Sequence, residues 1–251
     1  MPADSQRRAK IVVNNLTKRF GELTVLNGIN FDIKEGELLA IVGPTGCGKT
    51  TFLNCISKLM PTTEGEILID GEEANPRKHN ISYVFQEPTC LPWRTVRENV
   101  AYGMEIKGVP REERMERADK IMDLVGLRSC ADLYPNQVSA SMMQRIAVSR
   151  AFAVNPDLLL MDEPYGQLDV KLRFYLEDEL VKLWQKLNAT VLFVTHNVEE
   201  AVYIAERVLI LSNKPTTIKA EIPINLPRPR DTISPEFVEL RKQVTELIRW
   251  W

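Results

Sequence analysis

Eight residues from Gly43 to Thr50 have the types and the spacing of a phosphate-binding loop. They spell Gly-Pro-Thr-Gly-Cys-Gly-Lys-Thr and fit the pattern G-x-x-x-x-G-K-[ST]. The apolar run Leu38–Val42 precedes them, and apolar residues at helical spacing follow, so a strand turns into a helix there. Backbone N–H groups at such a turn form a nest that favours anions. The stretch therefore predicts binding of a nucleotide's phosphates; the alternative is a chance glycine-rich turn.

The type of each residue in this loop predicts a particular role in nucleotide binding. Lys49 would reach the β- and γ-phosphates, and Thr50 would offer its hydroxyl to Mg²⁺. Pro44 has no N–H to donate and can only shape the entry of the loop. The glycines let the backbone curl without Cβ clashes. The residues expected to contact the nucleotide are Gly43, Pro44, Thr45, Gly46, Cys47, Gly48, Lys49, Thr50 and Thr51.

A second stretch, Asp157–Pro164, is a continuous apolar run that ends in two carboxylates. Such a run is typical of a central parallel strand, and ligands gather at the carboxyl ends of these strands. Asp162 is predicted to hold Mg²⁺, directly or through water. Glu163, kept extended by Pro164, is predicted to activate an attacking water as a general base. The alternative is that both carboxylates cap the following turn.

Three single residues beside the predicted strands leave alternatives open. His196 follows the buried run Ala189–Thr195, and it either polarises a γ-phosphate or is a hydrogen-bonded structural residue. Phe20 either stacks on a nucleotide base or packs in the core. Gln86 stands at the exit of the predicted strand Ile81–Phe85.

The segment after Gln86 carries two prolines and large apolar side chains. Its prolines, at positions 88 and 92, exclude regular structure, while Leu91 and Trp93 are apolar. A loop that displays such groups predicts a docking surface for another protein. The alternative is a loop folded back on its own core.

The elements that would position these residues alternate between strands and helices, which predicts an α/β fold.

The net charge of -2 argues against a general nucleic-acid binder, and no apolar run is long enough for a membrane span, so the chain is predicted to be cytosolic by itself. The cysteines lack metal-ligand spacing and are predicted to be reduced, with Cys47 either a regulatory thiol or a small loop residue.

A final amphipathic helix would pack on its own domain or on a partner through Phe237, Leu240, Val244, Leu247, Ile248 and Trp251. Predicted strands are Ile11–Val13, Gly28–Ile33, Leu38–Val42, Gly65–Gly71, Ile81–Phe85, Asp157–Pro164, Ala189–Thr195, Arg207–Ser212 and Thr217–Ile224; predicted helices are Thr51–Ser57, Thr95–Ile106, Pro110–Val125, Ser139–Val154 and Leu172–Leu187, the last capped by Asp169.

The order and spacing of the motifs resemble the ATP-binding-cassette (ABC) ATPases over nearly the whole chain. The resemblance implies a P-loop NTPase core with an inserted α-helical subdomain and a small antiparallel β subdomain. The core would comprise residues 1–86 and 155–225, the helical subdomain 87–154 and a C-terminal helical extension 226–251. The motifs that carry it are the phosphate loop, Phe85-Gln86, the helical block, Val138–Arg145, Leu158–Pro164, Gly166–Asp169 and His196.

The resemblance also implies roles for single residues. Phe20 would stack on adenine, and Gln86 would couple the Mg²⁺ site to a transmembrane partner. Asp162 would be the Walker B aspartate, and Glu163 the catalytic base. Asp169 would join a dimer contact and His196 would be the switch histidine.

One motif departs from the family's pattern. The family signature usually reads Leu-Ser-Gly-Gly followed by Gln or Met, whereas this chain has Val138-Ser139-Ala140-Ser141-Met142. In the family this segment crosses the dimer and clamps the γ-phosphate of the partner's ATP. Any conformation with positive φ at Ala140 or Ser141 would cost roughly 1 to 2 kcal/mol per residue, and the new Cβ atoms could crowd the phosphate.

The segments Phe85–Pro88, Leu91–Val96, Glu98–Val100 and Leu226–Arg230 resemble the nitrate, sulfonate and taurine importer subfamily. The resemblance implies an ATP-hydrolysing subunit that uses ATP and Mg²⁺ and acts as a dimer at the cytoplasmic face of the membrane. Its partners would be a second ATPase subunit, identical or not, transmembrane permease subunits and, indirectly, a solute-binding protein. Two alternatives are a nucleotide-gated subunit that needs a non-identical ATPase partner for hydrolysis, and a soluble small-molecule kinase.

Overall fold

The computed structural model describes residues 7–166, 168 and 170–248, and these form two β-sheets with α-helices around them. Strand bounds are β1 Ala9–Phe20, β2 Leu23–Lys34, β3 Leu38–Val42, β4 Glu64–Ile69, β5 Glu72–Glu73, β6 Ile81–Val84, β7 Leu158–Asp162, β8 Val191–Thr195, β9 Arg207–Leu211 and β10 Ile218–Pro223. Helix bounds are α1 Lys49–Ile56, α2 Val96–Ile106, α3 Arg111–Leu124, α4 Ala140–Ala153, α5 Val170–Leu187, α6 Val198–Ile204 and α7 Pro235–Ile248.

The larger sheet has six strands in the order β10-β9-β3-β8-β7-β6. The five strands from β9 to β6 run parallel, and β10 is antiparallel to β9 at one edge. In chain order, β6, β7, β8 and β9 are each joined to the next through helices, as parallel strands require. The carboxyl ends of β3, β8 and β7 are therefore side by side.

The central strands are buried on both faces, which explains their continuous apolar sequence. Alternate residues of each strand serve two different cores because side chains on a strand alternate in direction. In β3, Leu38 and Ala40 face the core shared with the helices, while Leu39 and Ile41 face the core shared with the antiparallel sheet. The large sheet is thus the middle layer of the molecule.

The smaller sheet is antiparallel, in the order β2-β1-β4-β5, and covers one face of the large sheet together with α1. Between β6 and β7 the chain forms a helical block of α2, α3 and α4, whose apolar residues join the other core. Helix α2 begins with a capping box between Thr95 and Glu98, and Ser139 caps α4.

Most predicted elements are present, with ends that differ by a few residues. Strands β1 and β2 are much longer than Ile11–Val13 and Gly28–Ile33, because a β-hairpin of this length tolerates polar residues on its exposed face. The short strand β5 and helix α6 were not predicted. Helix α7 packs on its own domain through buried Phe237 and Val244; Trp251, part of the predicted stripe, lies outside the described residues.

Candidate functional site

The predicted site residues converge at the carboxyl edge of the large sheet. Strand β3 leads into the phosphate loop, β7 ends at Asp162 and β8 ends just before His196. The strand register pairs Val42 with Thr195 and Asp162 with Val194, so the three strand ends are level. Ligands of open α/β sheets bind at this edge.

The phosphate loop closes tightly around its glycines. Gly48 has φ +110 and precedes α1 without any side-chain cap, so the first N–H groups of the helix are left for a ligand. A Cβ at Gly48 would lie 2.6 Å from Val25 Cγ1, and one at Gly43 would lie 2.9 Å from Leu211 Cβ. The loop is therefore packed from behind by protein and open towards a ligand at Gly46, where a Cβ would meet nothing within 4 Å.

A cation and two potential proton acceptors meet beside this loop. The Lys49 ammonium is buried, donates to the carbonyls of Gly43 (3.1 Å) and Pro44 (3.2 Å), and lies 3.6 Å from Glu163 Oε1. The other carboxylate oxygen of Glu163 is 2.9 Å from His196 Nδ1. Lys49, Glu163 and His196 thus form one linked group although they come from three separate parts of the chain.

Asp162 is buried next to this group and is held by two hydroxyl donors. Tyr83 donates to its Oδ2 at 3.4 Å, and Thr50 also hydrogen-bonds to it. Burial raises the pKa of Asp162 above its ordinary value, the Thr50 hydrogen bond opposes that shift, and the charge of Glu163 adds to it. Sequence analysis missed Tyr83; its aromatic ring on the strand before Gln86 was the available signal.

The turn after β8 is held by a residue that sequence analysis also missed. Thr195 donates a hydrogen bond to the buried carboxylate of Glu200 and accepts one from the N–H of Asn197 at 3.0 Å. The side chain of Asn197 then caps α6. His196 is therefore presented by a turn whose two flanking residues are both fixed.

A second buried carboxylate, Glu177 of α5, interacts electrostatically with Glu200 of α6. Neither oxygen of Glu177 has a hydrogen-bond partner, nor has Oε1 of Glu200, among the described residues. Burial and mutual repulsion raise the pKa of Glu177, and burial raises that of Glu200. Nothing in the sequence marked this pair, since isolated glutamates on helices are usually exposed.

Sequence analysis also missed Thr216, which supports the phosphate loop. Thr216 is fully buried, donates its hydroxyl to the carbonyl of Cys47 and pairs with Leu26 of β2. Cys47 itself is buried, and burial raises the pKa of its thiol. This favours the small loop residue over the regulatory thiol, because the thiolate is the reactive form.

Two predicted site residues, Phe20 and Gln86, lie at the rim of the site and, in the part of the chain that the structure describes, have no hydrogen bond to the residues at its centre. The Phe20 ring is 46% exposed, with Lys18 Nζ 5.0 Å from its centroid, so it is free to receive a base. Gln86 is exposed and makes no hydrogen bond within the described chain. Asp169 lies outside the described residues.

The altered signature segment begins helix α4. Ser139 has the extended conformation of an N-cap and accepts a hydrogen bond from Met142 N at 3.3 Å, while Ala140 and Ser141 are the first residues of the helix. The expected strain is absent, since neither Ala140 nor Ser141 is among the described residues with positive φ. The Ser139 and Ser141 hydroxyls are 2.9 Å apart. No hydrogen bond joins them to the phosphate loop in the described residues.

The proline-containing loop before α2 is rigidly held. The fully buried Asn99 accepts from Leu91 N at 2.7 Å and donates to the carbonyls of Leu91, Arg94 and Thr95. Leu91 is half-buried, but Trp93 remains 70% exposed. The loop is thus fixed from inside while it presents an indole ring outside, which favours a docking surface over a loop folded back on its core.

Fold and site together define an ATPase of the P-loop class. Its helical block is inserted between strands β6 and β7 of the large sheet. Residues 26–166 match the ABC transporter family. The chain therefore belongs to that family and is an ATP-hydrolysing member of it.

Curated relatives cover nearly the whole chain. An uncharacterized ABC transporter ATP-binding protein of Methanocaldococcus jannaschii is 45% identical over 96% of this chain and 92% of the relative. A nitrate import ATP-binding protein of Synechocystis sp. is 38% identical, covering 91% and 90%. An aliphatic sulfonates import ATP-binding protein of Bacillus cereus is 37% identical, covering 94% of each.

A solved structure gives the same fold. A dimeric ATP-binding cassette in a post-hydrolysis state, bound to ADP and Pi, is 34% identical with a TM-score of 0.76, covering 86% of this chain and 99% of the other. Across residues 7–166, 168 and 170–248, no helix has both the length and the apolarity needed to cross a membrane.

Proposed function

We propose that this protein is the ATP-hydrolysing subunit of an importer for a small oxyanionic solute of the nitrate, sulfonate and taurine class. It would work as a dimer bound to separate transmembrane permease subunits at the cytoplasmic face of the membrane. The single observation that carries the catalytic part is the Glu163 carboxylate, which lies between Lys49 and His196 beside the phosphate loop.

Binding of ATP would begin at the phosphate loop. The free N–H groups in the first turn of α1 would receive the phosphate oxygens. Lys49 now donates to neutral carbonyls of its own loop, and a triphosphate would offer it a charged acceptor that forms a stronger hydrogen bond. Phe20 would stack on the adenine ring.

The residues at Asp162 fit a magnesium ion. A threonine hydroxyl and a carboxylate, already hydrogen-bonded to each other in a buried position, are the hard oxygen donors that Mg²⁺ prefers. Thr50 and Asp162 would hold the ion, and the Gln86 amide would complete the protein ligands. When bound with ATP, Mg²⁺ neutralises phosphate charge and makes the γ-phosphorus more electrophilic.

Hydrolysis would then depend on Glu163. Release of Lys49 to the phosphates would leave the carboxylate bonded to His196 Nδ1, which orients it. The carboxylate would accept a proton from the water that attacks the γ-phosphorus, giving ADP and inorganic phosphate. General-base catalysis of this kind contributes about 10²- to 10⁴-fold to a rate.

The second protomer would complete each site. Ser139 and Ser141 place two hydroxyls and the N–H groups of α4 on an exposed surface with no contact to their own phosphate loop. In a dimer these groups would approach the γ-phosphate of the partner's ATP, and Asp169 would join the same contact. Support comes from the dimeric state of the solved relative.

The solute class is supported by the relatives, one of which is named for nitrate import and another for import of aliphatic sulfonates. A deletion strain that lacks this chain would be tested for growth on nitrate as nitrogen source and on alkanesulfonates or taurine as sulfur source. Loss of growth on one of these, restored by the wild-type chain but not by Glu163→Gln, would support the proposal. Normal growth on all of them would contradict the solute class.

Hydrolysis is tested on the purified chain by comparing wild type, Glu163→Gln and the matched control Glu87→Gln, which removes a carboxylate from an exposed loop position. We expect Glu163→Gln to retain ATP binding and to lose hydrolysis by about 10²-fold or more, while the control keeps both. Binding without turnover in the wild type would instead favour the subunit that needs a non-identical ATPase partner. Transfer of phosphate to an acceptor other than water would favour a kinase.

A further inference from the structure

A cavity of about 300 Å³ lies away from every residue assigned to the nucleotide site. Its lining comes from α5, from α6 and from the segment after β10, and includes Asp178, Lys182, Tyr203, Arg228 and Arg230. A water molecule takes up about 30 Å³ in the liquid, so the cavity has room for a small ligand.

Two of the lining residues are arginines without carboxylate partners. Arg230 is 8% exposed and donates to the carbonyls of Val202, Ala205 and Ile224. Arg228 lies with its guanidinium 5.2 Å from the centroid of the Trp184 ring and donates to carbonyls at the end of α6. Within the described part of the chain, neither arginine forms an ion pair.

The positive charge at this place exceeds the negative charge. The carbonyls at the end of a helix carry about half of one negative charge, whereas two guanidinium groups carry two positive ones. Glu206 is already bound by both terminal nitrogens of Arg7, at 2.8 and 3.1 Å. Asp178, the acidic residue of the cavity, accepts a hydrogen bond from Tyr203 at 2.6 Å.

The burial of the Arg230 guanidinium is only partly compensated. Burial, reinforced by repulsion from Arg228, lowers the pKa of Arg230 to about 9. The Nε atom of Arg230 is buried and has no hydrogen-bond partner among the described residues. A buried donor without a partner is uncommon and costs free energy unless something binds to it.

We propose that this cavity binds a small oxyanion, such as sulfate, phosphate, nitrate or an alkanesulfonate, whose charge compensates Arg228 and Arg230. Guanidinium groups pair well with the planar or tetrahedral oxygens of such anions. Lys182, at the exposed side of the lining, is a third cation there and is ion-paired with Glu179 at 2.7 Å. The anion would join α5, α6 and the C-terminal segment, and α6 begins two residues after His196.

The same chemistry has two sources in an ATP-driven importer, namely phosphate from hydrolysis and an imported oxyanion. The proposal rests on the charges of the cavity and not on the solute, so it can fail without affecting the proposed function. Measured affinities would distinguish the sources: phosphate tighter than methanesulfonate or nitrate indicates the hydrolysis product, and the reverse order indicates the imported solute.

The test is calorimetric titration and thermal unfolding of the full chain with sodium sulfate, phosphate, nitrate or methanesulfonate, against chloride at equal ionic strength. All variants carry Lys49→Ala, which weakens anion binding at the phosphate loop by removing its cation; binding that remains at the backbone N–H groups of the loop is identified because neither lysine variant of α5 alters it. We expect one oxyanion per chain and a rise in melting temperature beyond that given by chloride. Lys182→Glu should weaken binding by about tenfold or more, through repulsion of the anion.

The matched control is Lys186→Glu, which makes the same change one helical turn further along α5 at the lining of a different cavity. The Lys182 side chain is 69% exposed, so its replacement leaves the fold intact, and circular dichroism checks this. We expect the control to bind as the Lys49→Ala parent does. The proposal is wrong if no oxyanion binds more tightly than chloride, or if both lysine variants weaken binding equally.

Discussion

Glu163 combines a strained backbone with contacts to two side chains, Lys49 and His196. The prediction that Pro164 keeps Glu163 extended is wrong: the φ of Glu163 is +45, a left-handed conformation that costs a residue with a side chain roughly 1–2 kcal/mol. Its N–H donates to Val194 O at 2.8 Å, so the neighbouring strand holds the backbone in place. The strained turn aims the carboxylate between Lys49 and His196. Replacement by glutamine keeps this backbone and removes only the charge, which makes the variant a clean test of a general base.

The signature segment gives a prediction about two side chains. Because Ala140 and Ser141 begin α4 without positive φ, their Cβ atoms carry no backbone strain for glycine to relieve. The double variant Ala140→Gly/Ser141→Gly should leave the rate of ATP hydrolysis within about threefold of wild type. Its free energy of unfolding should fall by about 0.5–1 kcal/mol per glycine, since glycine disfavours helix. Steady-state hydrolysis and urea unfolding measure the two effects.

Ser139→Ala is the companion variant, since it removes the N-cap hydroxyl and leaves the helix residues unchanged. It should cost about 0.5–2 kcal/mol of stability. A rise in hydrolysis of tenfold or more in the double glycine variant would contradict this interpretation and would indicate a signature that works poorly on its own.

The buried pair Glu177 and Glu200 predicts an unusual pH dependence. Burial raises the pKa of Glu177 above the ordinary glutamate value of about 4.3, so at neutral pH the folded state holds a proton that the unfolded state has lost. Stability from this group is therefore complete below the unfolded pKa and is lost as pH rises towards the folded pKa. Glu177→Gln should gain more than about 1 kcal/mol relative to wild type between pH 5 and pH 8.

The measurement is urea unfolding of both proteins at several pH values, which cancels the contribution of all other groups. Glu179→Gln is the matched control, because it removes a carboxylate of the same helix that is ion-paired with Lys182 at 2.7 Å. The control should show no such relative gain. Parallel pH profiles for wild type and Glu177→Gln would show that Glu177 is not the group that holds the proton.

At the scale of elements, two glycines of the phosphate loop avoid different energetic costs. Gly46 avoids backbone strain alone, whereas Gly48 avoids both backbone strain and a steric clash. Gly46 and Gly48 both have positive φ, but only a Cβ at Gly48 would collide with protein, at 2.6 Å from Val25 Cγ1. Gly46→Ala should lose about 1–2 kcal/mol of unfolding free energy, the backbone cost alone. Gly48→Ala should lose about 2–4 kcal/mol, because overpacking adds to it.

Urea unfolding without nucleotide measures both, and the pair serve as each other's control. Equal losses would mean that β2 moves away from the loop at no cost. In that case the steric support behind the loop would be weaker than the contact with Val25 indicates.

The elements that could be predicted are those whose burial shows in the sequence as a local pattern of apolar residues. Strands β3, β7 and β8 are buried on both faces, so their apolar runs predicted them together with the site residues at their ends. Strand β1 carries exposed Asn14 and Asn15, which interrupt alternation, and only pairing with β2 and β4 makes it a strand of twelve residues.

The parts of the site that were not predictable depend on contacts between distant segments. Thr216 supports Cys47 across 169 positions, and Tyr83 reaches Asp162 across 79. Thr216 has no local pattern that indicates such a contact, and for Tyr83 the one signal is an aromatic ring on the strand before Gln86. The motif residues themselves were predictable because a phosphate loop needs particular residue types at fixed spacing.

In the whole molecule, the nucleotide site and the loop that displays Trp93 are connected through strand β6. Gln86 is the second residue after β6, and the loop that Asn99 holds comes next in the chain. The helical block shares a core with the central sheet, so a change at Gln86 would be carried by a packed unit and not by a free linker. This arrangement suits a motor whose hydrolysis is linked to a partner protein.

Trp93→Ala should therefore separate coupling from catalysis. The side chain is 70% exposed, so its loss should change the free energy of unfolding by less than about 0.5 kcal/mol and leave hydrolysis by the isolated chain unchanged. With the permease in lipid vesicles, solute uptake and its stimulation of hydrolysis should fall by about tenfold or more, as expected for an aromatic residue central to an interface. Ile106→Ala is the matched control, because Ile106 is an apolar residue at the end of α2, the helix that follows this loop, and is also 70% exposed. Uptake that survives Trp93→Ala, or that Ile106→Ala reduces equally, would place the permease contact elsewhere on the protein.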